Sequence, residues 1–307
     1  MTSTLQVRVE RPALSYDEAC VRFEALLRAD TDAVDPESRS RLITPGHRSE
    51  RAIVLFHGLT NSPRQMLSLS ERFTRRGYAV FLPRMPYHGY LDRMTTDQAR
   101  LCARDLVDTA AMSVDLAAGL ADEVTVSGIS LGGVLAIWAA QFRGVGLAAP
   151  IAPSIGFRFL PMALSGFAFG ALRKLPNRFM WWDPRYRERL PGPPYAYPRF
   201  STRALGELQR LALDLLQAAR HAPPRAHSVW VISNAADLAV SNAASAVLVR
   251  NWRAAGATNV HTFEFPRRLK LFHDVVDPLQ PNAQPGLVHP ILERIIVDGQ
   301  PPDPTDF

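Results

Sequence analysis

Residues 124–133 read Val-Thr-Val-Ser-Gly-Ile-Ser-Leu-Gly-Gly, and the interpretation of the whole chain starts from this stretch. Its β-branched beginning predicts a buried strand, and the apolar residues at 131–138 predict a helix. Gly128, Ser130 and Gly132 match Gly-x-Ser-x-Gly, a pattern in which a strand turns so tightly into a helix that the serine is strained. Larger flanking residues would collide with the neighbouring strand and helix. The pattern predicts a nucleophile at Ser130, and the alternative is a glycine-serine turn without chemistry.

Six short runs of β-branched or apolar residues predict buried strands, because turn residues bound each of them. These runs lie at 51–56, 78–82, 123–126, 146–151, 228–233 and 260–265. Helical patterns separate most of them, such as the apolar stripe within 205–219. Because strand and helix alternate, we predict an α/β fold with a mostly parallel sheet flanked by helices.

The segment 154–202 departs from this alternation. It is rich in proline, arginine and aromatic residues and shows no clear sheet periodicity. A connection of this length is more typical of a lid than of a plain loop. We therefore predict a cap at 154–202, inserted into a core formed by 41–153 and 203–307. Residues 1–40 carry an amphipathic pattern, so we expect a helical segment packed on that core.

Composition and charge argue against several classes of protein. The net charge of +6 comes from arginines scattered along the 307 residues, so we expect no nucleic-acid partner. No uninterrupted run of about twenty apolar residues occurs, and no signal-peptide pattern is evident, so neither a membrane span nor secretion is expected. The two cysteines are too few for a disulfide framework and favour a cytoplasmic location. Without an HExxH motif or a cluster of metal ligands, we expect no metal and no organic cofactor.

A serine nucleophile needs an acid that orients its base, and Asp237 is the candidate for this role. The acid should follow the next-to-last strand, and Asp237 comes shortly after the strand predicted at 228–233. Asp214 lies within a helical pattern, and Asp274 adjoins the expected histidine and could not turn back towards it. The alternative for Asp237 is an ordinary surface aspartate.

The base should lie in the loop after the last strand, and His273 follows the strand predicted at 260–265. His289 competes with it but begins a helical run, where capping or packing is the expected role. His57 precedes the serine, whereas the expected order is serine, acid, histidine, so we expect it to hold a turn. His88 is expected to shape a loop.

Two backbone amides are candidates for stabilising a negatively charged oxygen. The N–H of Leu131 opens the helix that follows Ser130 and points with that helix's positive end. A second donor is expected after the first strong strand, where His57, Gly58 and Leu59 occur. We expect the Leu59 N–H to be that donor.

At these positions the chain resembles the α/β-hydrolase superfamily, and within it the bacterial carboxylesterase and monoacylglycerol-lipase branch. The resemblance extends over about 51–297. It implies the α/β-hydrolase fold, with Ser130 as nucleophile, Asp237 as acid and His273 as base, and a cap after the strand that ends near residue 151. It rests on His57-Gly58-Leu59-Thr60, Gly128-Ile129-Ser130-Leu131-Gly132-Gly133, Asp237 followed by Val240, and His273-Asp274.

The resemblance further implies a serine carboxylesterase or lipase acting on a small-molecule ester or lipid-like substrate. Phe159 and Phe167 belong to a concentration of large apolar residues in the predicted cap. We expect them to bind the apolar part of the substrate, although they could instead form the core of the cap. Peptidase, thioesterase or carbon-carbon bond hydrolase activity would use the same triad, and a non-catalytic binding protein could share the fold.

Overall fold

A mostly parallel sheet of seven strands crosses the described part of this computed structural model, which comprises residues 9–158, 170, 175–187 and 192–302. The described strands are β1 (Arg41–Ile43), β2 (Ser49–Phe56), β3 (Ala79–Leu82), β4 (Ala121–Ile129), β5 (Leu147–Ile151), β6 (Phe179–Trp181), β7 (Arg199–Ser201), β8 (Ser228–Asn234) and β9 (Val260–Phe265). The order in the sheet is β1-β3-β2-β4-β5-β8-β9. Only β1 runs antiparallel to its neighbour in this sheet, and β6 pairs with β7 in a separate antiparallel ribbon.

Helices cover both faces of the sheet. The described α-helices are α1 (Tyr16–Arg28), α2 (Leu67–Arg75), α3 (Ala103–Leu120), α4 (Leu131–Phe142), α5 (Thr202–Ala218), α6 (Asn242–Ala254) and α7 (Pro285–Asp298). Side chains alternate along β2, so Val54 packs in one apolar cluster with α3 and α4. Leu55 packs in a second cluster with α2 and α7. This two-sided burial explains why the strand has a continuous apolar run and no polar face.

The strand register brings the ends of the central strands together. Phe56 of β2 lies beside Gly128 of β4, and Ile129 lies beside Ile151 of β5. Ile151 in turn lies beside Ile232 of β8. Because these strands are parallel, the loops that follow them emerge at one edge of the sheet, where open α/β sheets bind their ligands.

The predicted α/β fold and its mostly parallel sheet are confirmed, and all six predicted strands are present. The strand predicted at 123–126 is longer and runs over Ala121–Ile129. Strand β1 was not predicted, because three half-buried residues at a sheet edge carry too short a pattern. The β6–β7 ribbon was also missed, because each of its strands has only three residues.

Candidate active site

Ser130 lies between β4 and α4 in a backbone conformation that side chains rarely adopt. Its φ is 57° and its ψ is −111°. The Ser130 N–H donates to the carbonyl of Ile151 at 3.0 Å, and the Ser130 carbonyl accepts from the N–H groups of Val134 and Ser154, both at 3.1 Å. These three hydrogen bonds hold the strained turn in place, so the surrounding structure determines the position of the serine.

The two glycines of the pattern are required by close backbone contacts. A Cβ at Gly128 would lie 2.6 Å from the carbonyl carbon of Gly132. A Cβ at Gly132 would lie 2.1 Å from the carbonyl oxygen of Phe56 on the neighbouring strand. Both distances are far shorter than any tolerated contact, so the tight turn around Ser130 needs glycine at both positions.

Asp237 and His273 come from loops after adjacent strands and form a hydrogen-bonded pair. The His273 Nδ1 donates to the Asp237 Oδ2 at 2.7 Å. The other carboxylate oxygen accepts from the N–H groups of Ala239 at 2.7 Å and Val240 at 3.1 Å. The Asp237 side chain is fully covered, whereas that of His273 is 26% exposed. This arrangement holds the imidazole by Nδ1 and leaves its Nε2 available for proton transfer.

The pKa values of the pair shift in the directions that its geometry requires. Burial alone would lower the pKa of His273, but the hydrogen bond to Asp237 and that carboxylate's charge outweigh it, so the pKa is raised. Burial alone would raise the pKa of Asp237, but the interaction with His273 and the two backbone donors outweigh it, so the pKa is lowered. The pair therefore favours a charged aspartate beside a histidine that holds a proton well.

A cavity of about 690 Å³ brings these groups together. Ser130 and His273 both line it, whereas Asp237 lies behind the histidine. Much of the remaining wall is apolar and includes Phe157, Leu205, Leu208, Leu238 and Val240. A largely apolar cavity with few polar groups is typical of a small-molecule site.

The loop after β2 contains Leu59, the residue whose N–H the sequence predicts as the second oxyanion donor. The Gly58 N–H donates to Gln65 Oε1 at 2.7 Å, so this amide is already occupied. The Gly58 carbonyl accepts from His57 Nδ1 at 2.9 Å and from the Asn61 N–H at 3.2 Å. Because the peptide is planar and trans, the Leu59 N–H points away from that fixed carbonyl.

One predicted donor lies at the edge of the cavity, and the other directly follows Ser130, which lines the cavity. Leu59 lines it, and a Cβ on the preceding Gly58 would lie 3.7 Å from the Cβ of Ser130. Leu131 is the first residue of α4, so its N–H has no acceptor within the helix. The two candidate amides therefore belong to two different elements, one in the residue after Ser130 and one in the loop whose Gly58 approaches it, which is compatible with an oxyanion hole.

The other histidines have structural partners. His57 is buried and its Nε2 accepts from the Met85 N–H at 3.2 Å, while burial holds its pKa well below the ordinary range. His289 lies within α7 and its Nε2 contacts the Val276 carbonyl at 2.7 Å. His88 Nδ1 contacts the Pro86 carbonyl at 2.8 Å, and burial lowers the pKa of His88 to about 4. None of these three side chains is bonded to Asp237.

The sequence did not point to Gln65, which connects two loops of the site. Its Oε1 binds the Gly58 N–H, and its Nε2 donates to Asp274 Oδ2 at 2.7 Å. The second contact joins residues 209 positions apart, so no local pattern could predict it. Asp274 therefore anchors the loop of His273 and does not orient the imidazole.

Two predicted site residues, Phe159 and Phe167, lie outside the described residues. Among the residues that the structure describes, no group of three or more His, Cys, Asp or Glu side chains could hold a metal ion. Within the same ranges, no helix is both long and apolar enough to cross a membrane.

A model of the alpha/beta hydrolase family matches residues 53–277. The matched region contains Ser130, Asp237 and His273, and it extends from β2 to the loop that follows β9. It therefore includes every candidate triad residue.

Part of the sequence is similar to that of a lipase. A thermostable monoacylglycerol lipase of Bacillus sp. strain H-257 is 30% identical over 89 residues, which is 29% of this chain and 34% of that protein. The match thus spans about a third of the length of that curated relative.

Solved structures resemble the chain over most of its length. A structure from work on the metagenome-derived lipolytic enzymes LipS and LipT has a TM-score of 0.65 at 20% identity and covers 86% of this chain and 99% of its own. The monoacylglycerol lipase of Paleococcus ferrophilus has a TM-score of 0.62 at 17% identity and covers 85% of this chain and 98% of its own. At such low identity the likeness shows a shared fold.

Proposed function

Because the chain belongs to the alpha/beta hydrolase family, we propose that it is a serine hydrolase that cleaves carboxylic esters with an apolar acyl or alcohol part. The reaction proceeds through an acyl-enzyme on Ser130. His273 is the general base, Asp237 orients it, and the N–H groups of Leu59 and Leu131 stabilise the oxyanion.

One arrangement carries this proposal: a strained serine and a hydrogen-bonded histidine-aspartate pair meet at one apolar cavity. Ser130 and His273 line the same cavity, and the His273–Asp237 bond measures 2.7 Å. Strain of this kind persists only where the surrounding structure enforces it, and it concentrates at active sites. A structural serine turn would need neither the histidine nor the cavity.

In the first half of the reaction, His273 Nε2 accepts the proton of the Ser130 hydroxyl as its oxygen attacks the ester carbonyl carbon. The carbonyl oxygen becomes negatively charged, and the Leu59 and Leu131 amides donate to it. Collapse of this intermediate breaks the ester bond, and the imidazolium of His273 gives its proton to the leaving alcohol. Asp237 stabilises the imidazolium throughout this half-reaction.

In the second half, water replaces the alcohol and His273 again acts as base. The water oxygen attacks the acyl carbon, the same two amides stabilise the oxyanion, and Ser130 leaves with the proton from His273. The products are a carboxylic acid and the regenerated serine. Every proton transfer passes through the imidazole, so no other titrating group is needed.

The apolar wall of the cavity supports an ester with an apolar part. Phe157, Leu205, Leu208 and Leu238 line the cavity beside the nucleophile. The relatives named above as monoacylglycerol lipases act, by name, on esters of this kind. We propose a small-molecule ester or monoacylglycerol-like lipid as substrate.

The segment 154–202 is proposed to act as the cap over this site. Its described part contributes Phe157, Trp182, Pro193 and Tyr197 to the cavity wall. A covering segment would exclude water from the acyl-enzyme until the leaving group has departed.

The test is covalent labelling of Ser130. A fluorophosphonate should label the wild-type protein and not Ser130→Ala, because only an activated serine reacts readily. Hydrolysis of p-nitrophenyl butyrate should fall by about 10³-fold or more in Ser130→Ala, while its unfolding temperature stays near that of the wild type. Equal labelling of both proteins, or more than about a tenth of the activity in the variant, would rule out the nucleophile.

Peptidase, thioesterase and carbon-carbon bond hydrolase activities remain competing uses of the same triad. A screen with a p-nitrophenyl ester series, a monoacylglycerol, an acyl-CoA and an aminopeptidase substrate separates esterase, thioesterase and peptidase activity. It does not test carbon-carbon bond hydrolysis. A protein that binds such ligands and escapes labelling would be a non-catalytic member of the family.

We also propose a cytoplasmic location. Cys20 and Cys102 are both free and half-buried, which suits a reducing compartment. Fractionation of the native protein from its source cells tests this proposal.

A further inference from the structure

Thr60, the residue after the expected oxyanion donor Leu59, has a backbone conformation that is unusual for its type. Its φ is 67°, in the left-handed region. A β-branched residue is a genuine outlier there, because its branched Cβ crowds the backbone. Thr60 is also buried, at 4% exposure. Such a conformation persists only where neighbouring contacts enforce it.

The β6–β7 ribbon supplies those contacts. Trp182, directly after β6, donates its indole N–H to the Thr60 hydroxyl at 2.9 Å. Tyr197, shortly before β7, donates its backbone N–H to the Thr60 carbonyl at 2.7 Å. The two contacts lie on one connected unit, because the backbone N–H of Trp182 donates to the Pro198 carbonyl at 3.1 Å. The ribbon therefore holds Thr60 by both its side chain and its backbone.

The Thr60 hydroxyl passes this constraint on to Leu59. An indole N–H can only donate, so the hydroxyl accepts from Trp182 and must direct its own hydrogen elsewhere. That hydrogen points to the Leu59 carbonyl at 2.6 Å. On the other side of Leu59, the Gly58 carbonyl is held by His57 and Asn61. The carbonyls on both sides of the Leu59 N–H are thus fixed.

We infer that Trp182 is a positioning residue, which holds the Leu59 N–H in the oxyanion hole through the hydroxyl of Thr60. The inference rests on the proposed function, since it assigns a role in the same reaction. On this inference, the position of the Leu59 N–H depends on the β6–β7 ribbon as well as on the sheet.

The placement of Trp182 distinguishes this role from simple packing. Its side chain is 44% exposed and lines the active-site cavity, while its indole N–H reaches the buried Thr60 hydroxyl. A substrate that fills the cavity contacts the same indole. The tryptophan therefore faces the cavity on one side and is bonded on the other to the loop that carries Leu59.

The experiment compares Trp182→Phe with Trp181→Phe. The first removes the indole N–H and keeps an aromatic ring at the cavity wall. The second makes the same change in the neighbouring residue, whose ring faces Arg187 at 6.0 Å and does not line the cavity. Thr60→Ala removes the hydroxyl that connects Trp182 to Leu59, and Thr60→Ser keeps it.

The kinetic readout is the separation of kcat from KM with p-nitrophenyl butyrate. Loss of a complete oxyanion donor lowers kcat by about 10²- to 10³-fold, so a misplaced donor should lower it by about 10- to 100-fold. Trp182→Phe and Thr60→Ala should show this fall with KM changed by less than about threefold, because the lost interaction acts in the transition state. The double variant should be no worse than either single variant, since both remove one connection.

A second readout uses a dodecyl trifluoromethyl ketone and the matched methyl ketone. Ser130 adds to the trifluoromethyl ketone carbonyl, its proton passes to His273, and the carbonyl oxygen becomes an oxyanion. The methyl ketone binds largely without this addition. Trp182→Phe should weaken inhibition by the first compound at least about tenfold more than by the second, as expected for a lost oxyanion contact.

The outcomes are separable from those of the proposed function. If the wild type is labelled by fluorophosphonate but Trp182→Phe matches Trp181→Phe in kcat and in both inhibition constants, the role of Trp182 is wrong and the hydrolase assignment stands. Thr60→Ser should retain several times the activity of Thr60→Ala, and equal activity of the two would also overturn the inference. Circular dichroism and thermal unfolding identify any variant that has lost its fold, and then Thr60→Ala and Thr60→Ser decide the question.

Discussion

Ser130 and Thr60 both have positive φ angles, 57° and 67°, and both lie at the edge of the same cavity. Each is held by hydrogen bonds from other segments, Ser130 through Ile151 and Ser154, and Thr60 through the ribbon. At the scale of single residues, both strained conformations have an energetic cost, and each fixes the position of one group: the hydroxyl of Ser130 and the backbone beside the Leu59 amide.

The pH dependence of the reaction should follow the raised pKa of His273. The imidazole acts as a base only when neutral, so kcat/KM should increase with pH as His273 loses its proton. Because Asp237 raises the pKa of His273, the midpoint of this increase should lie above the ordinary histidine value of about 6.5. In Asp237→Asn the carboxylate charge is gone and burial remains, so the midpoint should move to lower pH. The maximal kcat should fall by about 10⁴-fold, because the amide favours the wrong tautomer.

The measurement is kcat/KM against pH for both proteins, together with titration of the His273 imidazole by NMR. Asp214→Asn, a change within α5, is the control and should leave the profile unchanged. A midpoint that does not move in Asp237→Asn would show that another group sets the pKa of the base.

At the scale of elements, the short 3₁₀ turn Pro63–Met66 connects the oxyanion loop with the loop of His273. Gln65 in this turn binds the Gly58 N–H and Asp274, and it is 2% exposed. Gln65→Leu should leave the buried Gly58 N–H without an acceptor, at a cost of about 1–3 kcal/mol. We expect unfolding free energy to fall by this amount and kcat to fall by about tenfold, as the Leu59 amide loses its support.

Gln280→Leu is the matched control for this change. Gln280 donates to the same Asp274 oxygen at 2.9 Å, but its amide has no contact with Gly58. Urea unfolding and kcat for p-nitrophenyl butyrate should therefore separate the two variants. If both lower kcat equally, Gln65 acts only by anchoring Asp274.

At the scale of the whole molecule, the cavity between the sheet edge and the segment 154–202 should determine the preferred chain length. Each methylene that enters an apolar cavity contributes about 0.8 kcal/mol of binding, or about a fourfold increase in kcat/KM. For p-nitrophenyl esters from acetate upwards, kcat/KM should increase over the short acyl chains and fall once the chain outgrows the 690 Å³ cavity.

Leu238→Ser tests which part of the wall receives the chain. Leu238 lines the cavity and is 65% exposed, so the change should not disturb the core. It should reduce kcat/KM for the longer esters and leave that for acetate unchanged. A kcat/KM that is the same for every chain length would contradict an apolar acyl pocket.

The sequence by itself determined the parallel sheet and the candidate nucleophile, because both depend on local patterns. Buried parallel strands have continuous apolar runs, and the turn at Ser130 tolerates only glycine where backbone atoms approach closely. Asp237 and His273 could be proposed because each follows a predicted strand, and parallel strands place their ends at one edge. The 2.7 Å contact between them is a property of the folded chain.

Only the tertiary structure decided which distant side chains hold the loops of the candidate site in place. Gln65 and Asp274 are 209 positions apart, and Trp182 and Thr60 are 122 positions apart. Hydrogen bonds between single side chains on distant segments leave no periodic pattern, since nothing in the local sequence repeats or alternates to mark them. The edge strand β1 and the β6–β7 ribbon were likewise decided by pairing, because three residues are too few to show a period. The candidate nucleophile can thus be proposed from local sequence, whereas the contacts that hold the loop of Leu59 exist only once distant segments have packed together.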